Sequence, residues 1–286
     1  MSTTQALART SAQATSANPY QQSIADYWDT ESYDVNHKLG AVDNYFHHHY
    51  GIGEPDASVL DADEEAIVSE LHRLENNQGA HLISHLGSLN AQHRAVDAGC
   101  GRGGTAFMLH STTGCQVDGF TLSTAQATDA RAQAHRLNVS DKVRFHIRSM
   151  LETELEAKTI HAAWNNESTM YVDLADQFAE MRRILVPGGR YVTITGCAND
   201  TYGRRSRDVS LINAQYACDI HYRSDYFRAM AKNRIVPVYV KNLTNATVPY
   251  WKLRAKTSLA TGVEEPYLNA YTSGAFQYLL IVADRV

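Results

Sequence analysis

The chain has 286 residues, 44% of them hydrophobic, and a formal net charge of −5. That length and apolar content suit one large domain with a full core, and an acidic balance without a basic run argues against a nucleic-acid binder. The four cysteines, Cys100, Cys115, Cys197 and Cys218, lack CxxC or metal spacing, and no apolar run approaches a membrane span, so reduced thiols in a cytoplasmic protein are expected, with no membrane partner.

Residues 1–17 are rich in Ser, Thr and Ala and contain no acid, which reads as a disordered tail. Asn18 and Pro19 cap and start a helix to about Trp28, with Ile24, Tyr27 and Trp28 on one side. Residues 59–86 form an amphipathic helix, because Ile67, Leu71, Leu74, Leu82 and Leu86 recur at helical spacing. Strands are then predicted at 94–98, 116–121, 143–148, 160–164, 190–196, 235–243 and 276–284. Helices are predicted at 103–111, 123–137, 174–185, 224–233 and 246–271, with a turn at Pro187-Gly188-Gly189. Alternation of this kind means an α/β fold, a mostly parallel doubly wound sheet covered on both faces.

The first strand runs into Asp97-Ala98-Gly99-Cys100-Gly101-Arg102-Gly103. Glycines belong where the backbone turns sharply and a ligand presses against it, and the next helix offers that ligand free N–H groups. The acid before the first glycine, and a turn lying well inside the chain, favour S-adenosylmethionine over a dinucleotide. Other loops after strands carry the remaining candidates. Thr121-Leu122-Ser123 leads to Gln126, which lies one turn into a helix that Ser123 can cap and which could reach a ribose. Asp118, the nearby acid, falls inside the strand. Met150 and Leu151 suit an adenine face, or else a core at a helix start. The fourth loop, from Trp164 to Tyr171, sets Asn165, Asn166, Glu167 and Ser168 among large apolar side chains.

The segments HHHYGIG (47–53), VDAGCGRGG (96–104), TLSTAQ (121–126), WNNESTMYVDL (164–174), GGRYVTITGC (188–197), PYWKLRA (249–255) and FQYLLIVADRV (276–286) resemble the bacterial geranyl diphosphate C-methyltransferases. The likeness runs from about Asn18 to Val286. It implies a class I methyltransferase, a Rossmann-like sheet of seven strands with a last antiparallel strand and an N-terminal helical lid. Residues 18–90 would be that cap and 91–286 the S-adenosylmethionine-dependent domain. It further implies attack by an alkene carbon on the sulfonium methyl and a tertiary cation quenched by loss of a proton.

By that resemblance Glu167 is the base, against the plainer role of a helix cap, and aromatic faces stabilise the cation. Tyr171 and Tyr216 stand beside Glu167 as catalytic candidates. Cofactor contacts fall to Asp97, Gly99, Gly101, Thr121, Leu122, Gln126, Met150, Leu151 and Asn165. Substrate contacts fall to Tyr20, Tyr27, Asn36, Phe46, His48, Tyr50, Ala198 and Tyr250. Mg²⁺ would accompany a diphosphate; three consecutive histidines cannot all face one metal, so no protein metal site is expected. The relatives form homo-oligomers, often hexamers. Three positions depart from the family: Ala198 and Asp208 replace large aromatics and Tyr216 replaces a phenylalanine. A wall widened at Ala198 would suit a geranylated indole alkaloid of the teleocidin type, so that acceptor stands beside geranyl diphosphate. Small-molecule N- or O-methylation, and a binding protein that lost its chemistry, are further alternatives.

Overall fold

The computed structural model describes residues 18–30 and 34–286; the predicted tail, 1–17, lies outside the described residues. Helix α1 (Pro19–Thr30) starts where Asn18 Oδ1 accepts the Gln21 amide at 2.8 Å, and α2 (Asp34–Gly40) follows. Helix α3 (Glu64–Ile83) is shorter than the predicted 59–86, because Asp63 Oδ1 accepts the Ala66 amide at 2.9 Å and sets its start.

The sheet is β1 (Arg94–Ala98), β2 (Gln116–Thr121), β3 (Val143–Ile147), β4 (Ile160–Asn166), β5 (Leu185–Ala198), β6 (Ile235–Asn242) and β7 (Phe276–Arg285). Its order is β3-β2-β1-β4-β5-β7-β6, parallel except for β7, which runs antiparallel to both neighbours. Strand side chains alternate between two cores, as a sheet covered on both faces requires. Ala95, Val192, Tyr278 and Leu280 face one; Val96, Tyr191, Leu279 and Ile281 face the other. The first core packs against α3, α4 (Gly104–Thr113), α5 (Thr124–Arg136), α7 (Arg207–Tyr216), α9 (Thr244–Arg254) and α10 (Glu264–Thr272). The second packs against α6 (Leu174–Ile184) and α8 (Arg223–Lys232).

Three further expectations change. The 246–271 helix is two, α9 and α10, because Gly262 turns at φ +88° and Glu264 accepts its amide at 2.8 Å. Helix α7 was not expected; Ser206 Oγ caps it through the Val209 amide at 3.1 Å. Strand β5 begins at Leu185, and Pro187-Gly188-Gly189 is looped out where the register jumps between Ile160↔Leu185 and Ala162↔Arg190. Among the described residues no helix is long and apolar enough to cross a membrane.

Candidate active site

Ligands of such sheets bind beyond the carboxyl ends of the strands, and a cavity lies there. Gly99, Gly101, Thr121, Leu122, Gln126 and Met150 line it, with Phe120 and Ser149. The glycines are needed for space as well as for conformation. Gly99 has φ +86°, and a Cβ on it would lie 2.4 Å from the Ser168 Cβ. Gly101 has φ +53°, and a Cβ there would lie 2.7 Å from the His48 ring. Thr121 Oγ1 donates to Gln126 Oε1 at 2.8 Å, and Ser123 Oγ accepts the Gln126 amide at 3.1 Å, so the helix cap and the Gln126 side chain are set together.

Asp118 has another task. Burial alone would raise its pKa, but His146, Arg94 and Arg144 surround it at 2.9 to 3.1 Å and hold it at about 2. Asn165 stands behind the cavity wall: it donates to Ala98 O at 2.7 Å and accepts from Tyr191 at 2.7 Å and Gln177 at 2.8 Å. Leu151 lines none of the cavities described here.

A small third cavity adjoins the first, with Asp97, Phe46, His47, His48, His49 and Gly104 in its wall. His47 Nδ1 and His49 Nε2 are buried there without a hydrogen-bond partner. Burial holds both histidines neutral: His47 falls to about 4 and His49 falls well below its ordinary value. Burial also raises the Asp97 carboxyl well above its ordinary range. His47 Nε2 donates to Asn76 Oδ1 at 2.9 Å and His49 Nδ1 donates to Tyr50 O at 3.3 Å, so in the neutral rings both orphaned nitrogens are acceptors, and beside a buried acid they fit the ammonium of an amino-acid group. Phe46 therefore faces this cavity and not the larger one.

The larger cavity gathers Tyr27, Asn36, His48, Tyr50, Glu167, Tyr171, Tyr216 and Tyr250, together with Arg254, Tyr267 and Phe276. The Tyr50 and Tyr267 hydroxyls meet at 2.5 Å, and Tyr267 stacks on Trp251 at 3.9 Å. Arg254 is buried, 3.0 Å from the Glu264 carboxylate. His48 is neutral, kept so by burial and by the charge of Arg102, whose Nη1 lies 3.0 Å from His48 Nε2. Arg102 Nε in turn donates to Asp129 at 2.8 Å.

Glu167, Trp28, His48 and Tyr171 border both this cavity and the glycine cavity. The Glu167 backbone is left-handed at φ +52°, and its N–H donates to Ile194 O at 3.1 Å. Its carboxyl is buried, with Oε1 lacking any hydrogen-bond partner. Burial pushes its pKa up to about 8, although the Tyr278 hydroxyl and the Gly196 amide oppose the shift. A carboxyl in that range can hold or release a proton near neutral pH.

Two expected substrate contacts lie elsewhere. Tyr20 is 45% exposed and lines none of the three cavities, although it lies close enough to Cys218, Asp219 and Tyr171 to feel their charge. Ala198 is in the core opposite Phe276, with its amide on His221 O at 2.9 Å, because β5 runs to its end paired with β7. Among the wall residues that the sequence did not single out as site residues are Arg254, Tyr267 and Phe276. Arg254 sits in the PYWKLRA segment, where a cation within an apolar helix was the available signal.

The methyltransferase-domain family model matches residues 95–189. A geranyl diphosphate 2-C-methyltransferase of Saccharopolyspora erythraea is 60% identical over 276 residues, which are 95% of this chain and 97% of that protein. The chain belongs to the geranyl diphosphate 2-C-methyltransferase family. A family member from Streptomyces coelicolor is 50% identical over 94% of each chain. Among solved structures, a geranyl diphosphate methyltransferase in complex with GPP and sinefungin has a TM-score of 0.93 at 52% identity. It covers 94% of this chain and 100% of that one. The S. coelicolor enzyme in complex with Mg²⁺, geranyl-S-thiolodiphosphate and S-adenosyl-L-homocysteine also has a TM-score of 0.93, at 50% identity, covering 94% of this chain and 99% of that one.

Proposed function

We propose that this chain moves the methyl group of S-adenosylmethionine to C2 of geranyl diphosphate. The observation that carries the reading is the placement of Glu167, among the described residues the one Asp or Glu on the wall of an aromatic cavity, at the border with the glycine cavity. S-adenosylmethionine supplies an electrophilic methyl on a sulfonium. Its adenosine would lie along Gly99, Gln126 and Met150, and its amino-acid end beside Asp97, His47 and His49. Among the described residues the permanent cation on the wall of the larger cavity is Arg254, so the acceptor's diphosphate belongs toward Arg254 and its alkene toward Glu167.

The π pair of the acceptor's C2=C3 bond forms the new C–C bond as the C–S bond breaks, leaving a tertiary cation at C3. The faces of Tyr171, Tyr216 and Tyr50 stabilise that charge, and the buried wall excludes water that would trap it. The Glu167 carboxylate then takes the C2 proton and the double bond re-forms. Among the described residues no three His, Cys, Asp or Glu side chains gather to hold a metal. Mg²⁺ would enter with the diphosphate, whose negative charge it would neutralise, while Asn36 and Tyr50 offer polar contacts on the wall. A bulky alkaloid acceptor depended on a wall opened at Ala198, and Ala198 lies in the core.

The test is turnover with S-adenosylmethionine against isopentenyl, geranyl and farnesyl diphosphates and a geranylated indole alkaloid, each with and without Mg²⁺. Magnesium-dependent methylation of geranyl diphosphate is expected. Turnover of the alkaloid alone, indifferent to Mg²⁺, would overturn the reading.

A further inference from the structure

Gln78, on α3, is fully buried more than eighty residues from the loop that carries Glu167, yet its amide reaches that loop. Its Nε2 donates to Asn166 Oδ1 at 2.7 Å, and Asn166 Nδ2 donates back to Gln78 Oε1 at 2.9 Å. The other Nε2 hydrogen goes to the Tyr278 hydroxyl at 2.9 Å. Tyr278 is buried on β7, opposite Gly196 of β5, and Glu167 lies over this strand pair. A phenol that accepts one hydrogen bond has one proton left to give, and the adjoining buried acceptor is the Glu167 carboxylate. With both amides turned over, Gln78 would draw the phenol proton to itself and leave a buried carboxylate with one donor fewer. Buried acceptors are rarely left so.

We propose that Gln78 is a positioning residue for the reaction: it pins the loop through Asn166 and orients Tyr278 as a hydrogen-bond donor to the carboxylate of Glu167. This rests on the reading of Glu167 as the base.

The surroundings of Glu167 show why the donor matters. The groups that feel its charge are Tyr50 before α3, Tyr267 and Tyr271 on α10, Tyr226 on α8, Tyr278 on β7, Cys197 on β5 and Cys218 after α7. All are phenols or thiols that burial keeps neutral, so no cation among them holds Glu167 ionised. Burial favours the protonated acid, which cannot accept a proton from the cation. A directed phenol proton counters that, and a chain of two such bonds strengthens each.

The test is the pH dependence of kcat with geranyl diphosphate, read alongside infrared difference spectra of the protonated Glu167 carboxyl, assigned by its loss in Glu167→Gln. Activity rises with pH as the base ionises. Tyr278→Phe should move that limb upward by about one pH unit, the worth of one charge-assisted hydrogen bond, while the plateau at high pH survives. Gln78→Met, which keeps the volume, should move it in the same direction by less. Gln78→Glu, which competes for the phenol proton, should move it at least as far as Tyr278→Phe. The infrared titration should follow the limb, and it reads the same quantity in variants too slow to assay. A limb and infrared titration unmoved in Tyr278→Phe or in Gln78→Met, with kcat lowered evenly across pH, would reduce both residues to structural parts. If Glu167→Gln keeps full turnover, the base assignment falls instead. If Glu167→Gln is inactive and the limb stays put, only the role of Gln78 falls.

Discussion

The glycine cavity and the aromatic cavity share a wall but are built differently. The first is made by turns at the ends of neighbouring strands, so its shape is encoded within a few residues of each turn. The second is made by side chains from α1, α2, the HHHY segment, the loop after β4, α7, α9, α10 and β7. A backbone-made site tolerates few substitutions, because every change meets a fixed turn. A side-chain-made site can be re-shaped one residue at a time, which suits a site that must choose its acceptor.

The sharpest break between the two cavities is Glu167→Gln. Methyl transfer should fall about 100- to 10,000-fold, the range for a positioned base, while S-adenosylhomocysteine affinity by calorimetry stays within error. The same variant has a stability signature. The raised carboxyl binds its proton more tightly folded than unfolded, so folding loses stability as pH rises from the ordinary carboxylate range through about 8. Glu167→Gln should therefore melt higher than wild type at pH 8.5 and at the same temperature near pH 4.

Next in size is Arg254→Gln. It should raise KM for geranyl diphosphate more than tenfold with little change in cofactor affinity. By leaving Glu264 buried and unpaired it should also cost about 3–5 kcal/mol of stability in denaturant titration. An unchanged KM would remove Arg254 from the diphosphate end.

Gly99→Ala attacks the other cavity. Its left-handed backbone and the 2.4 Å approach to Ser168 should cost about 1–3 kcal/mol and weaken S-adenosylhomocysteine binding at least tenfold. Intact binding would show that the turn can shift.

Asp29 joins the two regions: its Oδ1 accepts from Ser123 Oγ at 2.6 Å and from the Ala125 amide at 3.1 Å, fastening α1 over α5. Asp29→Ala should raise KM for S-adenosylmethionine by about fivefold and, by losing a contact at a helix cap, lower the melting temperature by about 2–4 °C. The smallest effect expected is a pH trend. S-adenosylmethionine, a sulfonium cation, should bind more tightly as pH rises through about 8 and Glu167 ionises, whereas the uncharged thioether of S-adenosylhomocysteine should show no such trend.

The contrast between the cavities also explains what could be read in the chain. The strand–turn–helix around Gly99 and Gly101 was visible because turn chemistry is local, and Glu167 was visible because its string resembles a known one. The histidines were harder. Three in a row gave no sign that His48 would meet Arg102 and border both cavities while His47 and His49 turned toward Asp97. Ala198 misled for the same reason: strand register, not neighbouring residues, decides whether it faces a cavity or the core.

The sequence by itself determined the doubly wound sheet, the glycine turn after β1 and the acid after β4, since each depends on periodicity or on a short motif. Tertiary structure alone decided where α9 stops and α10 starts, and that Arg254, paired with Glu264, lines the aromatic cavity. It also brought Gln78 to Tyr278 across 200 residues of chain. Those contacts come from burying polar groups together, and a buried polar group takes whatever partner the packing of distant elements brings to it.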